Sequence, residues 1–195
     1  MIDIANFLFE VGMLKKTPRT GFRFLGSGCE SVAEHILRTI FIGYALSKLE
    51  TDVNELKLLK MCLVHDLPEA RTGDMNYMYK KYVTVHEERA VKELTETLFF
   101  GDEITSAINE FNEKKTKEAL IAHDADQLAL ILQLKEYGDL GNKYTNDWIE
   151  FASRRLCTET AKKLADSIIE TDSSQWWFKD KSDWWVNGGS NNNTK

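Results

Sequence analysis

Two prolines, Pro18 and Pro68, are all that this 195-residue chain contains, where average usage of about 5% would place about ten. Proline breaks a helix by removing an N–H donor and clashing with the turn before it. A chain so poor in proline is free to run long helices, and it lacks the turn punctuation of a β architecture. An all-α fold is therefore the expectation. The length suits one domain rather than two separate cores, and 43% hydrophobic against 29% charged residues lies outside the range of a disordered chain.

Charge and cysteine usage narrow the class of protein. Lys and Arg number 25 against 31 Asp and Glu, a net charge of −6, so the chain lacks the broad basic surface that would hold a nucleic-acid polymer. Cys29, Cys62 and Cys157 lie far apart with no C-x-x-C pair, which fits reduced thiols and a cytoplasmic setting. The opening Met1-Ile-Asp-Ile-Ala-Asn6 carries an acid where a secretory signal carries basic residues, and no apolar run approaches about 18 residues. Neither export nor a membrane partner is expected.

Ile4, Phe7, Leu8, Val11 and Leu14 recur at helical spacing and predict a first helix ending near Lys15. A loop from Thr17 to Glu30 follows, rich in turn residues and carrying Arg19 and Arg23. Ser31-Val-Ala-Glu34 predicts a capping box that opens the next helix and puts His35 in its first turns. Asp52-Val-Asn-Glu55 and Thr84-Val-His-Glu87 resemble two further starts. The first opens a helix running up to Pro68 with His65 and Asp66 at its end, the second a helix through Leu98. A shorter helix is expected over 103–111, a long one from Thr116 to about Tyr137, and another over 142–169. Four of the five tryptophans, Trp176, Trp177, Trp184 and Trp185, crowd into ten positions, too much apolar area to leave without a docking surface. A homodimer is the expected partner arrangement.

His65-Asp66 offers an imidazole and a carboxylate that suit a divalent first-row metal, although a second such dipeptide at His123-Asp124 shows how weak the pair is alone. His123-Asp124 is expected on the surface. Support comes from His35 and from Asp126, a carboxylate on an otherwise apolar helix face. An ionised Asp facing a core costs several kcal/mol unless paired or bound to a cation, so ligation would explain it.

These residues resemble the HD-domain phosphohydrolases, whose signature is an H…HD…D order of ligands on a helical bundle. Thr17-Pro-Arg-Thr-Gly-Phe22, Glu30-Ser-Val-Ala-Glu-His35, His65-Asp-Leu-Pro-Glu-Ala-Arg-Thr-Gly-Asp74 and Ala125-Asp-Gln-Leu128, with Leu132-Gln and Glu136-Tyr137 after them, look like the small 5′-deoxynucleotidase branch. The resemblance covers about 4–169. It implies a single all-α domain over 1–170, followed by a Trp-rich segment over 171–186 and a disordered polar tail over 187–195. It implies His35, His65, Asp66 and Asp126 as ligands of one divalent ion (Mn, Co, Fe, Ni, Zn or Mg), Glu69 and Asp74 as catalytic carboxylates, and Arg19 as the phosphate-binding residue. Phe22 stands where the branch often carries Trp against the sugar, and Arg23 follows it as a further substrate contact. The implied activity is hydrolysis of 5′-(deoxy)nucleoside monophosphates to nucleoside and phosphate by a metal-activated water. The alternatives are a deoxynucleoside triphosphate triphosphohydrolase on the same site, or a non-catalytic nucleotide-binding module with a structural metal. No Gly-Tyr-Pro follows the HD dipeptide, which disfavours the cyclic-dinucleotide phosphodiesterase branch.

Overall fold

The structure is a computed structural model that describes residues 1–179 and residue 185. Its helices run in the order α1 (Ile2–Val11), α2 (Val32–Leu49), α3 (Glu55–Val64), α4 (Glu69–Thr72), α5 (Glu87–Thr95), α6 (Gly101–Glu113), α7 (Lys117–Asp139), α8 (Thr145–Ser153), α9 (Glu159–Glu170) and α10 (Gln175–Phe178), with short 3-10 turns over Gly12–Lys15, Thr20–Leu25 and Tyr79–Lys81. No strand forms among the described residues. The one β-type pairing is an isolated bridge between Pro18 and Ser31 that staples the ends of the Arg19 loop together. No helix among the described residues is long and apolar enough to cross a membrane.

Helix α7 is the axis of the bundle and packs against α2, α3, α6, α8 and α9. It carries Ala119, Ala122, Ala125 and Ala129 fully buried beside Ile121, Leu128, Ile131 and Leu134. The small residues let neighbouring helices approach closely, while the large ones fill the spaces between them. A second cluster, built on Leu14, Val32, Ile36, Val64, Leu67, Val91 and Leu94, ties the N-terminal segment to α2, α3 and α5.

The capping box at Ser31 forms as expected: the Glu34 N–H donates to the Ser31 hydroxyl oxygen, and the Ser31 N–H donates to the Glu34 carboxylate at 2.7 Å. The other two starts differ. Helix α3 is capped by Asn54, whose side chain accepts from the Lys57 N–H, because Asp52 sits at φ +53° and cannot serve as the cap. Helix α5 starts at Glu87 with no side-chain cap and stops at Thr95.

The helix expected over 142–169 is two helices, and the break has a physical cause that also moves His123-Asp124 off the surface. Asp124 is fully buried, and its carboxylate accepts hydrogen bonds from the Cys157 N–H (2.6 Å), the Thr158 N–H (2.9 Å) and the Thr158 hydroxyl (2.6 Å). It thereby satisfies the backbone donors ahead of α9, where Thr158 is the N-cap. His123 is buried next to it, stacked on Phe111 at 3.8 Å between ring centroids and bonded through Nε2 to the Phe111 carbonyl. Asp124→Ala should cost about 3 kcal/mol, since it strands three donors, and lower the thermal midpoint by about 6–12 °C. A melting curve matching the wild type would show that Asp124 does not anchor α9.

Candidate active site

His35 enters the site from the second turn of α2, fixed in register by the capping box, and His65 and Asp66 follow directly on α3. Asp126 faces them from the middle of α7. The ligand atoms of His35, His65 and Asp126 all lie within 4.8 Å of one another. His35 Nε2 is 3.0 Å from Asp126 Oδ1 and 3.6 Å from Asp66 Oδ2, and His65 Nε2 is 3.4 Å from the same Asp66 oxygen. His35, His65 and Asp126 therefore converge from three helices, and Asp66 lies beside the two imidazoles but outside that mutually close set.

The donor chemistry of this group fits a divalent cation. His65 Nδ1 lies 2.9 Å from the Cys62 carbonyl; a carbonyl can only accept, so Nδ1 carries the proton and Nε2 presents its lone pair. Neither ring nitrogen of His35, nor Nε2 of His65, makes a hydrogen bond, although all three atoms are buried. Orphaned buried imidazole nitrogens are costly, and a bound cation would take up one of them on each ring. Burial and the Arg19 charge hold the His35 pKa below its ordinary value despite Asp126 and Asp66, which favours the neutral ligand form. Burial opposes ionisation of Asp126, but the contact with His35 and the Arg19 charge outweigh it and hold the carboxyl well below the usual range.

A second layer lies over this group. The Arg19 guanidinium donates to Asp66 Oδ2 at 3.2 Å and comes within 3.7 Å of Asp74 Oδ1. Asp74 is held by the neighbour of Arg19 in sequence: both the main-chain N–H and the hydroxyl of Thr20 donate to its carboxylate. Asn76 donates to the Thr20 hydroxyl in turn and accepts the N–H groups of Met78 and Tyr79. Gly73, at φ +71°, lets the chain turn sharply after α4, so that Glu69 and Asp74 are presented together. Burial, followed by the Asp66 and Asp74 charges, pushes the Glu69 carboxyl up to about 9, and its Oε2 is buried without a hydrogen-bond partner. Arg19 and, behind it, the exposed Lys80 supply opposing positive charge.

Of the three residues expected on the substrate, Arg19 alone is brought to the carboxylates. Phe22 is buried in the larger core cluster, edge-on to Tyr137 at 5.4 Å, and Arg23 is exposed on the same loop. Two residues with a part in the site escaped the sequence analysis: Thr20 and Asn76. Thr20 lies inside the motif stretches, but nothing local shows what it touches. Downstream, Trp177 contacts Phe178 and Trp185 at 5.3 and 5.8 Å between ring centroids. Trp184 and the tail over 187–195 lie outside the described residues.

Comparison with known proteins places this geometry in context. The family model described as HD domain matches residues 11–168. The 5′-deoxynucleotidase HDDC2 of Dictyostelium discoideum is 35% identical over 149 residues, covering 70% of this chain and 78% of that protein. The HDDC2 protein of Bos taurus is 32% identical over 147 residues, covering 72% and 71%. Among solved structures, the PH0347 protein of Pyrococcus horikoshii OT3 superposes with a TM-score of 0.70 at 29% identity, covering 85% of this chain and 98% of that one.

Proposed function

Because the chain belongs to the HD-domain family and stands among its 5′-deoxynucleotidases, we propose that it is a metal-dependent phosphomonoesterase. Its substrates are 5′-(deoxy)nucleoside monophosphates, released as nucleoside and phosphate. The observation that carries this reading is the stacking of two layers: a buried His/His/Asp group with unsatisfied imidazole nitrogens, and directly over it an arginine fork held between two carboxylates.

His35, His65, Asp66 and Asp126 would hold one divalent ion, and a mixed nitrogen and oxygen set does not select among Mn, Co, Fe, Ni, Zn and Mg. Such an ion supplies Lewis acidity, which neutralises phosphoryl charge and lowers the pKa of water. The protein's own side chains do the rest. The Arg19 guanidinium gives the phosphate a planar pair of donors. Its hydrogen bond to Asp66 and its ion pair with Asp74 keep that fork aligned before substrate arrives. Asp74, fixed by Thr20, accepts a hydrogen bond from the attacking water and steers it. Glu69, with an uncommitted buried oxygen, handles the proton of the leaving 5′-oxygen. Phe22 anchors the Arg19 loop in the core against Tyr137, and Arg23 adds positive charge to that loop. The catalytic unit is assigned to 1–170, the Trp-rich segment to 171–186 and the polar tail to 187–195, with a homodimer as the working assembly, to be checked by light scattering.

The test is product analysis on metal-loaded protein. Deoxynucleoside monophosphates should yield nucleoside and inorganic phosphate, whereas triphosphate released from deoxynucleoside triphosphates would identify the other hydrolase. Arg19→Ala should raise KM for the monophosphate by about 10–100-fold with a smaller change in kcat, because its contact with phosphate exists in the ground state as well as the transition state. A fall confined to kcat would place Arg19 in the chemistry and not in substrate binding.

A further inference from the structure

Asp126 divides its two carboxylate oxygens between two partners. Oδ1 faces inward, 3.0 Å from His35 Nε2, while Oδ2 turns away and accepts the Gln127 amide N–H at 2.8 Å. Neighbouring residues on a helix point about 100° apart and do not normally face each other, so the Gln127 side chain must be bent back along α7 and held there. Arg155 holds it: the Arg155 Nε–H donates to Gln127 Oε1 at 2.5 Å. A carboxylate only accepts and a guanidinium only donates, so the two contacts together fix which end of the Gln127 amide faces which partner.

The turn that carries Arg155 is itself gripped by α7. Asp124, three residues before Gln127 on the same helix, accepts the Cys157 and Thr158 N–H groups, and Leu156 beside Arg155 is buried in the larger core cluster. From that fixed base the exposed Arg155 side chain reaches Tyr77, with its guanidinium carbon 5.3 Å from the ring centroid, a cation–π distance. Tyr77 adjoins Asn76, which donates to the Thr20 hydroxyl that in turn donates to Asp74. Arg155 thus touches both layers of the site, the buried group through Gln127 and the Asp74 segment through Tyr77.

We propose that Gln127 and Arg155 are positioning residues for the metal: the Gln127 amide occupies Oδ2, so that Asp126 offers a cation Oδ1 alone, and Arg155, seated on Tyr77, keeps that amide in place. The inference rests on the metal assignment above and extends it to side chains that are not ligands. The Arg155 charge on Oε1 polarises the amide and strengthens its N–H as a donor. Without Gln127, the carboxylate is free to rotate and water competes for Oδ2. Outer partners of this kind contribute about 10–100-fold to metal affinity.

The experiment titrates Co²⁺ into metal-free protein against a competing chelator, for the wild type, Gln127→Leu, Arg155→Met, Arg155→Lys and the Gln127→Leu/Arg155→Met double variant. Gln127→Leu should weaken Co²⁺ binding by about 10–100-fold and Arg155→Met by about tenfold, while Arg155→Lys, which keeps a charged donor, should recover most of the second loss. The double variant should bind no more weakly than Gln127→Leu alone, because Arg155 acts through the amide that is already gone. Melting of the metal-free variants should stay near that of the wild type, and the rise in melting temperature on adding Co²⁺ should shrink in step with the affinity. Wild-type affinity in a folded Gln127→Leu protein overturns the proposal, as does a wild type that binds no Co²⁺. Additive losses in the double variant overturn the role of Arg155. Should Gln127→Leu not fold, Arg155→Met at its exposed position decides: unchanged Co²⁺ affinity there overturns the clamp. The predicted affinities without hydrolysis of monophosphates would sink the functional reading alone, because Co²⁺ binding is measured without turnover.

Discussion

Asp126→Ala is expected to lose the metal and, with it, phosphatase activity, while the helices remain. Asp126 is the one member of the His/His/Asp group contributed by α7, so its removal leaves one wall of the site without a donor. Losing an outer-shell partner of a metal ligand costs about 10–100-fold in affinity, and losing the ligand itself should exceed that. Hydrolysis should fall by about 10³-fold or more, the equivalent of several kcal/mol of charge stabilisation. The fold should survive because the α7 core positions on either side, Ala125 and Leu128, are untouched and fully buried. Elemental analysis of the purified variant, beside its far-ultraviolet circular dichroism, checks this directly. Stoichiometric metal in a folded Asp126→Ala protein would refute the assignment.

Glu69→Ala should give the opposite combination, with metal retained and turnover lost. Glu69 lies on α4, three residues past Asp66, and its unpartnered oxygen is not among the converging ligand atoms. Removal of a general acid or base typically costs about 10²–10⁴-fold in rate, and the loss should fall on kcat with KM for the monophosphate little changed. Asp74→Ala should also lower kcat, but it also cuts the Thr20 bonds that position the Arg19 loop, so KM should rise with it. That split between the two carboxylates separates proton handling from water and phosphate positioning. Near wild-type kcat in Glu69→Ala, with metal content confirmed, would leave Asp74 as the sole carboxylate for the chemistry.

What the sequence by itself determined is whatever depends on neighbours along the chain. Proline scarcity and apolar spacing set the helical class. The Ser31–Glu34 box fixed the start of α2 and so the place of His35, because both partners lie within one turn. The motif stretches held His35, His65, Asp66, Asp126, Glu69 and Asp74, which the structure brings together. Only the tertiary structure decided the rest, and in each case the deciding contact spans a long stretch of chain. Asp124 is a buried cap and not a surface acid because it meets backbone donors 33 and 34 residues away, which is also why the segment over 142–169 breaks into α8 and α9. Thr20 and Asn76, 56 residues apart, close the network around Asp74. Phe22 turned into the core because Tyr137 lies across from it, and Glu30 became an unpartnered carboxyl in a cleft because α7 closed over the end of its loop. A polar residue carries the same letter whether solvent, a backbone amide or a ligand satisfies it. Its partner is chosen by packing, since burial makes an unmet hydrogen bond costly and exposure makes it nearly free.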